Sequence, residues 1–167
     1  MVQVYVFDLD GTVIDSSHRH ATLPCGALNL PHWIENSTPE KIALDTLLPL
    51  AESMRKAYAG GHHVIICTAR VMSKADIAFL EWHGLKYHAL LSRPEGDRSK
   101  DGALKQRLLT CYLNRMQRQF VRVSFSDFIM FDDNWSVLET VRRMGIAAFD
   151  AVQMNALLQG KTAYAPA

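Results

Sequence analysis

The 167-residue sequence predicts an α/β fold, a parallel sheet with helices on both faces. Two observations lead to this prediction. Short apolar runs alternate along the chain with segments of helical periodicity, and most runs are continuous, as in strands buried on both faces. Strands that are joined through helices make right-handed crossovers, so we expect them to run parallel. The length favours a single domain over residues 1–167.

Five apolar runs are predicted strands, because most are short and bounded by polar residues or glycine. They cover residues 2–7, 63–67, 87–91, 128–131 and 146–149.

The segments between these strands carry helix signals. Thr38 and Pro39 offer a cap and an N1 proline for a helix over residues 40–58. Ser73, with an acid three residues later, starts a second helix that Gly84 ends.

Two further helices follow. Apolar residues at a spacing of four predict one over residues 101–116, and Gly145 ends another over residues 135–144. Residues 15–37 have no sustained period and form either a small lid inserted after the first strand or a plain loop. We favour the lid, because loops of this length in compact domains are more often functional.

Composition narrows the partners and the compartment. The net charge is +1, from 18 basic and 17 acidic residues, so an anionic partner must be attracted by a local patch. The three cysteines are widely spaced, which is typical of a reduced compartment. The start of the chain has neither a basic region nor a long apolar run, so we expect a cytoplasmic protein without a membrane partner. The sequence does not indicate the oligomeric state.

Polar residues follow the predicted strands where ligands bind in such sheets, beyond the carboxyl ends. Asp8 and Asp10 follow the first strand, and Asp132 and Asp133 follow the fourth. Several carboxylates at one edge repel each other unless a cation lies between them. Oxygen ligands without nearby His or Cys favour Mg²⁺.

The stretch "VFDLDGTVID" resembles motif I of the haloacid dehalogenase (HAD) superfamily of phosphohydrolases, which implies a Rossmann-like core. The resemblance implies that Asp8 is the nucleophile and forms an aspartyl phosphate, and that Asp10 is the acid/base. It assigns Thr68 to motif II, as a hydrogen-bond donor to a phosphoryl oxygen. It implies that Mg²⁺ is bound by Asp8, Asp132, Asp133 and the backbone carbonyl of Asp10.

Motif III of the superfamily is a lysine, and both Lys100 and Lys105 are candidates. The block "RPEGDRSKDGALK" resembles the 3′-phosphatase domain of phage-type polynucleotide kinase/phosphatases and selects Lys105. It also matches Arg93 and Asp101 to residues of that domain. Asp101 and Lys105 are four residues apart at a helix start, so we expect the aspartate to orient the ammonium group.

The same branch has arginines at the positions of Arg19 and Arg70. Together with Arg93, they would suit a substrate with further anionic groups, since guanidinium binds phosphate oxygens bidentately.

The resulting hypothesis is a Mg²⁺-dependent phosphomonoesterase acting on nucleic-acid 3′-phosphate ends. A nucleotide monophosphatase is the alternative, and an inactive HAD-like binding module is a distant one. The sequence contains no GxxxxGK[ST] motif, so we expect no kinase domain in this chain.

Overall fold

The computed structural model of the protein describes residues 3–119 and 122–160. Within these residues the chain forms seven strands and seven helices, besides two short 3₁₀ turns. In chain order they are β1 (Val4–Phe7), β2 (Ile14–Asp15), α1 (Leu30–Glu35), α2 (Pro39–Ile42), β3 (Thr46–Leu47), α3 (Leu50–Ala59), β4 (His63–Thr68), α4 (Lys74–Trp82), β5 (Ala89–Ser92), α5 (Asp101–Gln119), β6 (Phe128–Asp132), α6 (Trp135–Arg143), β7 (Ala147–Asp150) and α7 (Ala151–Leu158).

Five strands form one parallel sheet in the order β5-β4-β1-β6-β7, with β1 at its centre. Successive side chains of a strand point to opposite faces. Accordingly, Val4 and Val6 lie in a buried cluster with residues of α5 and α6, and Phe7 lies in a second cluster with residues of α3 and α4. The predicted parallel sheet with helices on both faces is therefore confirmed. The predicted start of the first strand, Val2, lies outside the described residues.

The segment after β1 is closed by a pair of short antiparallel strands, β2 and β3. Between them the chain forms a 3₁₀ turn (Ser17–Arg19) and the helices α1 and α2. Ile14 and Ile42 are both buried in the cluster that contains α3 and α4, so the segment is anchored to that face of the core. It therefore continues beyond residue 37, where the sequence placed its end, as far as β3.

The predicted helix over residues 40–58 is wrong. The helix α2 ends at Ile42 and α3 begins only at Leu50, with β3 between them. Pro49 excludes one continuous helix, because proline lacks an N–H group and clashes with a preceding carbonyl inside a helix, but is tolerated at the start of one. It occupies the position just before α3.

The other predicted helices are present. The start of α4 is a capping box between Ser73 and Asp76, and α5 continues past residue 116 to Gln119. The helix α7 was not predicted; Asp150 caps it by accepting from the Val152 backbone N–H at 2.8 Å. Among the described residues, no helix combines the length and apolar character needed to cross a membrane.

One residue of α7 helps to fix the loop after β1. The Asn155 side chain is buried, and its Nδ2 donates to the Thr12 carbonyl at 2.9 Å while its Oδ1 accepts from the Leu50 N–H at 2.8 Å. The loop that follows Asp8 and Asp10 is thereby tied to the start of α3.

Candidate active site

The parallel sheet brings the ends of three strands together. Asp8 follows β1 directly, while Thr68 and Asp132 are the last residues of β4 and β6. The Asp8 N–H donates to the Phe131 carbonyl at 3.0 Å, which extends the pairing of β1 with β6 by one residue. All three polar residues are buried, so the carboxyl edge of the sheet carries an enclosed polar cluster.

Three carboxylates of this cluster lie within ligand distance of one another. An oxygen of each of Asp8, Asp132 and Asp133 lies within 4.8 Å of the others. The Nζ of Lys105, on α5, donates to Asp8 Oδ1 at 2.8 Å and to Asp132 Oδ2 at 2.6 Å. The structure thus places the predicted motif III lysine against the predicted nucleophile and one predicted metal ligand.

The pKa values of Asp8, Asp133 and Lys105 differ from their ordinary values because several charged groups are buried close together. Burial raises the pKa of Asp8 well above its ordinary value, and Lys105 offsets this only in part. Asp133 is exposed as a residue, but burial of its carboxyl group and the adjacent Asp132 raise its pKa to about 6. Burial alone would lower the pKa of Lys105, yet Asp8 and Asp132 raise it, so the ammonium stays charged.

The cluster fits a hard divalent cation. Its donors are carboxylate oxygens, the ligands that Mg²⁺ prefers, and the raised pKa values of Asp8 and Asp133 indicate that additional positive charge would stabilise their ionised forms. Gly11 allows the Asp133 carboxylate to approach the loop after β1, because a Cβ at this position, where φ is +71°, would collide with that carboxylate. The Asp10 backbone carbonyl stays a predicted ligand.

Asp10 lies beside the cluster and is held in its ionised form. Burial would raise the pKa of its carboxyl group, but the guanidinium of Arg70 lowers it below its ordinary value, and Ser16 contributes. Arg70 Nε donates to Asp10 Oδ2 at 3.1 Å, and the same guanidinium pairs with Asp76. Thr68 Oγ1 accepts from the Arg70 N–H at 3.1 Å, which leaves its hydroxyl proton available to a phosphoryl oxygen.

Arg19, predicted to bind substrate, is 1% exposed and is paired with a buried carboxylate. Its Nε and Nη2 donate to Asp45 at 2.9 and 2.7 Å, and its Nη1 donates to Ser37 Oγ at 3.0 Å. In this conformation Arg19 joins the two ends of the segment between β2 and β3. The structure thus shows a structural pairing for Arg19, and its predicted role in substrate binding stays a prediction.

Arg93 and Asp101 form an ion pair at the start of α5. Arg93 Nη2 donates to Asp101 Oδ1 at 2.7 Å, while its other nitrogens donate to the carbonyls of Ala69, Asp97 and Ser99. Asp101 therefore orients Arg93, and Lys105 is oriented instead by the carboxylates it contacts. The expected contact of Asp101 with Lys105 is replaced by its pair with Arg93, whereas substrate binding by Arg93 stays a prediction.

Sequence reasoning missed three residues around Asp10. Asp45 pairs with Arg19, and its Oδ2 also lies 3.8 Å from Arg70 Nη2. Asp76 was seen only as part of a helix cap, although its carboxylate also pairs with Arg70. Ser16 donates to Asp10 Oδ1 at 2.5 Å. The proximity of Asp76 to Arg70 in the chain was the one available signal.

The sequence is similar to that of a known family of phage proteins. The sequence matches the family described as bacteriophage T5 5′-deoxynucleotidase over residues 1–165. It is 32% identical over 179 residues to the 5′-deoxynucleotidase of Escherichia phage T5, covering 93% of this chain and 70% of the relative.

Solved structures share the fold at low identity. A chain of the Pnkp1/Rnl/Hen1 complex superposes with a TM-score of 0.60 at 21% identity. The superposition covers 89% of the present protein but only 46% of the chain from that complex. A haloacid dehalogenase-like hydrolase from Streptococcus pneumoniae superposes with a TM-score of 0.65 at 11% identity, covering 92% of this chain and 90% of the other. These similarities show the fold.

Proposed function

Because the chain belongs to the bacteriophage T5 5′-deoxynucleotidase family and is a HAD-type phosphatase, we propose that it dephosphorylates nucleoside 5′-monophosphates, deoxynucleotides in particular. The observation that carries the proposal is the family match over residues 1–165. Membership of the family also confirms that the chain is an enzyme, which removes the alternative of an inactive binding module.

The chemistry that we propose has two steps. Before the first step Asp10 takes up a proton from solvent, because its carboxyl group is ionised in the free protein. An Asp8 carboxylate oxygen then attacks phosphorus, a new P–O bond forms, and the bond to the leaving nucleoside oxygen breaks as Asp10 passes its proton to that oxygen. In the second, Asp10 takes a proton from water, whose oxygen attacks phosphorus and releases phosphate from Asp8. The ionised state of Asp10 beside Arg70 suits its role as a base in this second step.

Other side chains would bind the phosphoryl group. Thr68 donates its hydroxyl proton to a phosphoryl oxygen, and the Lys105 ammonium stabilises the charge that develops in the transition state. Asp8, Asp132 and Asp133 would hold Mg²⁺, which when bound offsets the repulsion between the anionic nucleophile and the anionic phosphate.

The side-chain contacts support a small substrate over a polynucleotide. A role in binding several backbone phosphates requires arginines with free N–H donors at the site. Arg19 is buried against Asp45, and Arg93 donates to the Asp101 carboxylate and to three backbone carbonyls. Of the three arginines only Arg70 contacts a residue of the reaction, Asp10.

A polynucleotide 3′-phosphatase, the first hypothesis from the sequence, is kept as the second candidate. The "RPEGDRSKDGALK" block favours it, and a chain of the Pnkp1/Rnl/Hen1 complex shares the fold.

The deciding experiment compares kcat/KM at fixed Mg²⁺ for four substrates. They are a deoxynucleoside 5′-monophosphate (5′-deoxynucleotide), a deoxynucleoside 3′-monophosphate, a 5′-phosphorylated oligonucleotide and a 3′-phosphorylated oligonucleotide. We expect the 5′-deoxynucleotide to be preferred at least about tenfold. A preference for the 3′-phosphorylated oligonucleotide would select the second candidate instead.

The aspartyl-phosphate mechanism has its own test. The Asp8→Asn variant should lose activity on every substrate, because an amide oxygen is a poor nucleophile. Asp15→Asn, in the neighbouring strand β2 and outside the carboxylate cluster, is the control and should retain it. Activity of Asp8→Asn equal to the wild type would rule out Asp8 as the nucleophile.

A further inference from the structure

Trp33 is a large aromatic residue with unusual neighbours. It lies in the short helix α1, is only partly buried, and does not belong to either hydrophobic cluster of the described residues. Its ring instead contacts polar groups: the guanidinium carbons of Arg19 and Arg70 lie 4.3 and 5.5 Å from the ring centre, and the His20 ring packs against it at 5.1 Å. Packing on the apolar core therefore does not explain its position.

The ring lies near Asp10, the residue that serves the leaving group in the proposed chemistry. Asp10 serves the leaving oxygen in the proposed chemistry, so the nucleoside extends from the phosphorus toward Asp10 and the residues around it. Arg70 contacts both Asp10 and Trp33, and these two contacts place the indole within about 10 Å of the Asp10 carboxylate. A base linked through deoxyribose to the leaving oxygen can reach that far.

The part of the indole that is exposed does not face Arg19. Arg19 is 1% exposed and lies against one side of the ring, so that side is turned toward the protein. Arg70 is also buried and lies 5.5 Å from the ring centre, so the exposed part of Trp33 lies away from both guanidinium groups. A guanidinium behind an aromatic ring also fixes its orientation through the attraction between the cation and the π system.

We propose that Trp33 is the stacking platform for the nucleobase of the leaving nucleoside. The inference deepens the proposed function and depends on it, because it requires a substrate whose leaving group carries an aromatic heterocycle. Every base has a π face, so stacking adds affinity with little preference for one base over another. The platform predicts an enzyme that accepts all four deoxynucleotides at similar rates.

A purely structural role for Trp33 makes a different prediction. The Trp33 carbonyl accepts from Ser37 Oγ at 2.7 Å, and the ring covers Arg19, so the residue also stabilises its own segment. If this were its whole role, its removal would affect every phosphate monoester equally. A stacking role affects only substrates that carry a base.

The test compares kcat/KM for the four 5′-deoxynucleotides with that for 2-deoxyribose 5-phosphate, which has the same leaving oxygen and no base. We expect the wild type to prefer the nucleotides by about 5- to 150-fold, the range typical of base stacking on an aromatic side chain. Trp33→Ala should reduce this ratio to near one, and Trp33→Phe should keep most of it. Trp82→Ala, a tryptophan 88% exposed on α4, is the control and should keep the wild-type ratio.

Two outcomes overturn the inference: equal loss on both substrates in Trp33→Ala, or a wild-type ratio near one. Failure of the proposed function looks different, because the wild type would then hydrolyse neither compound efficiently.

Fluorescence provides a measurement that does not depend on turnover. The chain has three tryptophans, so the substitutions Trp82→Phe and Trp135→Phe leave Trp33 as the only one, and Asp8→Asn prevents hydrolysis. Deoxynucleotide should change the emission of this protein, and 2-deoxyribose 5-phosphate should not. Calorimetric binding of deoxynucleotide without any change in emission would overturn the proposal.

Discussion

Removal of the Asp45 carboxylate should destabilise the protein more than most single substitutions. The Arg19 side chain is 1% exposed and the Asp45 side chain is inaccessible, and two hydrogen bonds of 2.7 and 2.9 Å join them. Asp45→Ala leaves a buried guanidinium with Ser37 as its remaining side-chain hydrogen-bond partner. Breaking a buried ion pair in this way costs about 3–5 kcal/mol, a large part of the roughly 5–15 kcal/mol that stabilises a typical domain.

Urea unfolding followed by circular dichroism measures this loss. The control is Glu52→Ala, which removes a surface ion pair with Arg55 and should cost at most about 1 kcal/mol. The double variant Arg19→Met with Asp45→Leu should recover much of the stability, because no unpaired charge is left. A cost for Asp45→Ala below about 1 kcal/mol, or a double variant no more stable than Asp45→Ala, would refute the reasoning.

Three predictions concern the carboxylate cluster. Lys105→Met removes the cation between two buried carboxylates, so kcat should fall about 100-fold or more while Mg²⁺ binds more tightly. Calorimetric titration with Mg²⁺ measures the affinity, with Lys100→Met as the control. An unchanged Mg²⁺ affinity in Lys105→Met would contradict the prediction. Gly11→Ala puts a methyl group against Asp133 and should weaken Mg²⁺ binding. Gly26→Ala is the control, because Gly26 also has a positive φ but has open space around it. Equal Mg²⁺ affinities in the two variants would argue against the contact between residue 11 and Asp133. The pKa of Asp133 is raised to about 6, above its value in the unfolded chain, so the folded state binds this proton more tightly than the unfolded state. The contribution of Asp133 to the stability of the metal-free protein should therefore fall as pH rises from about 4 to about 6. Subtraction of the profile of Asp133→Asn isolates the effect, and a difference that is flat across this window would disprove it.

The sequence alone allowed the parallel sheet and the polar residues at its strand ends to be predicted. Continuous apolar runs can be recognised locally, and in a parallel sheet their carboxyl ends must meet at one edge. Asp8, Thr68 and Asp132 therefore lie together as predicted. The contact of Lys105 with Asp8 joins residues far apart in the chain, and the prediction of that lysine depended on the spacing of a known motif.

Side-chain partners were harder to predict than strand ends. Asp101 and Lys105 have the spacing of a helical ion pair, but a stronger pair of buried carboxylates takes the lysine and the loop arginine Arg93 takes Asp101. Arg19 and Asp45 are joined across an irregular segment, where no periodicity indicates which residues meet. Such pairings depend on the tertiary packing of loops, and a single sequence contains no local signal for them.

The central position of β1 also constrains how the enzyme can fold during synthesis. Val4 pairs with His63 on one side and with Phe128 on the other, so the strand that presents Asp8 is made early but finds its second neighbour late. Contacts between such distant residues slow folding, and until they form the intermediate exposes unpaired strand edges. A nascent chain that has not reached Asp132 lacks both the second neighbour of β1 and two of the three clustered carboxylates. Catalytic activity therefore reports completion of the sheet, because a partly folded chain cannot assemble the reacting groups.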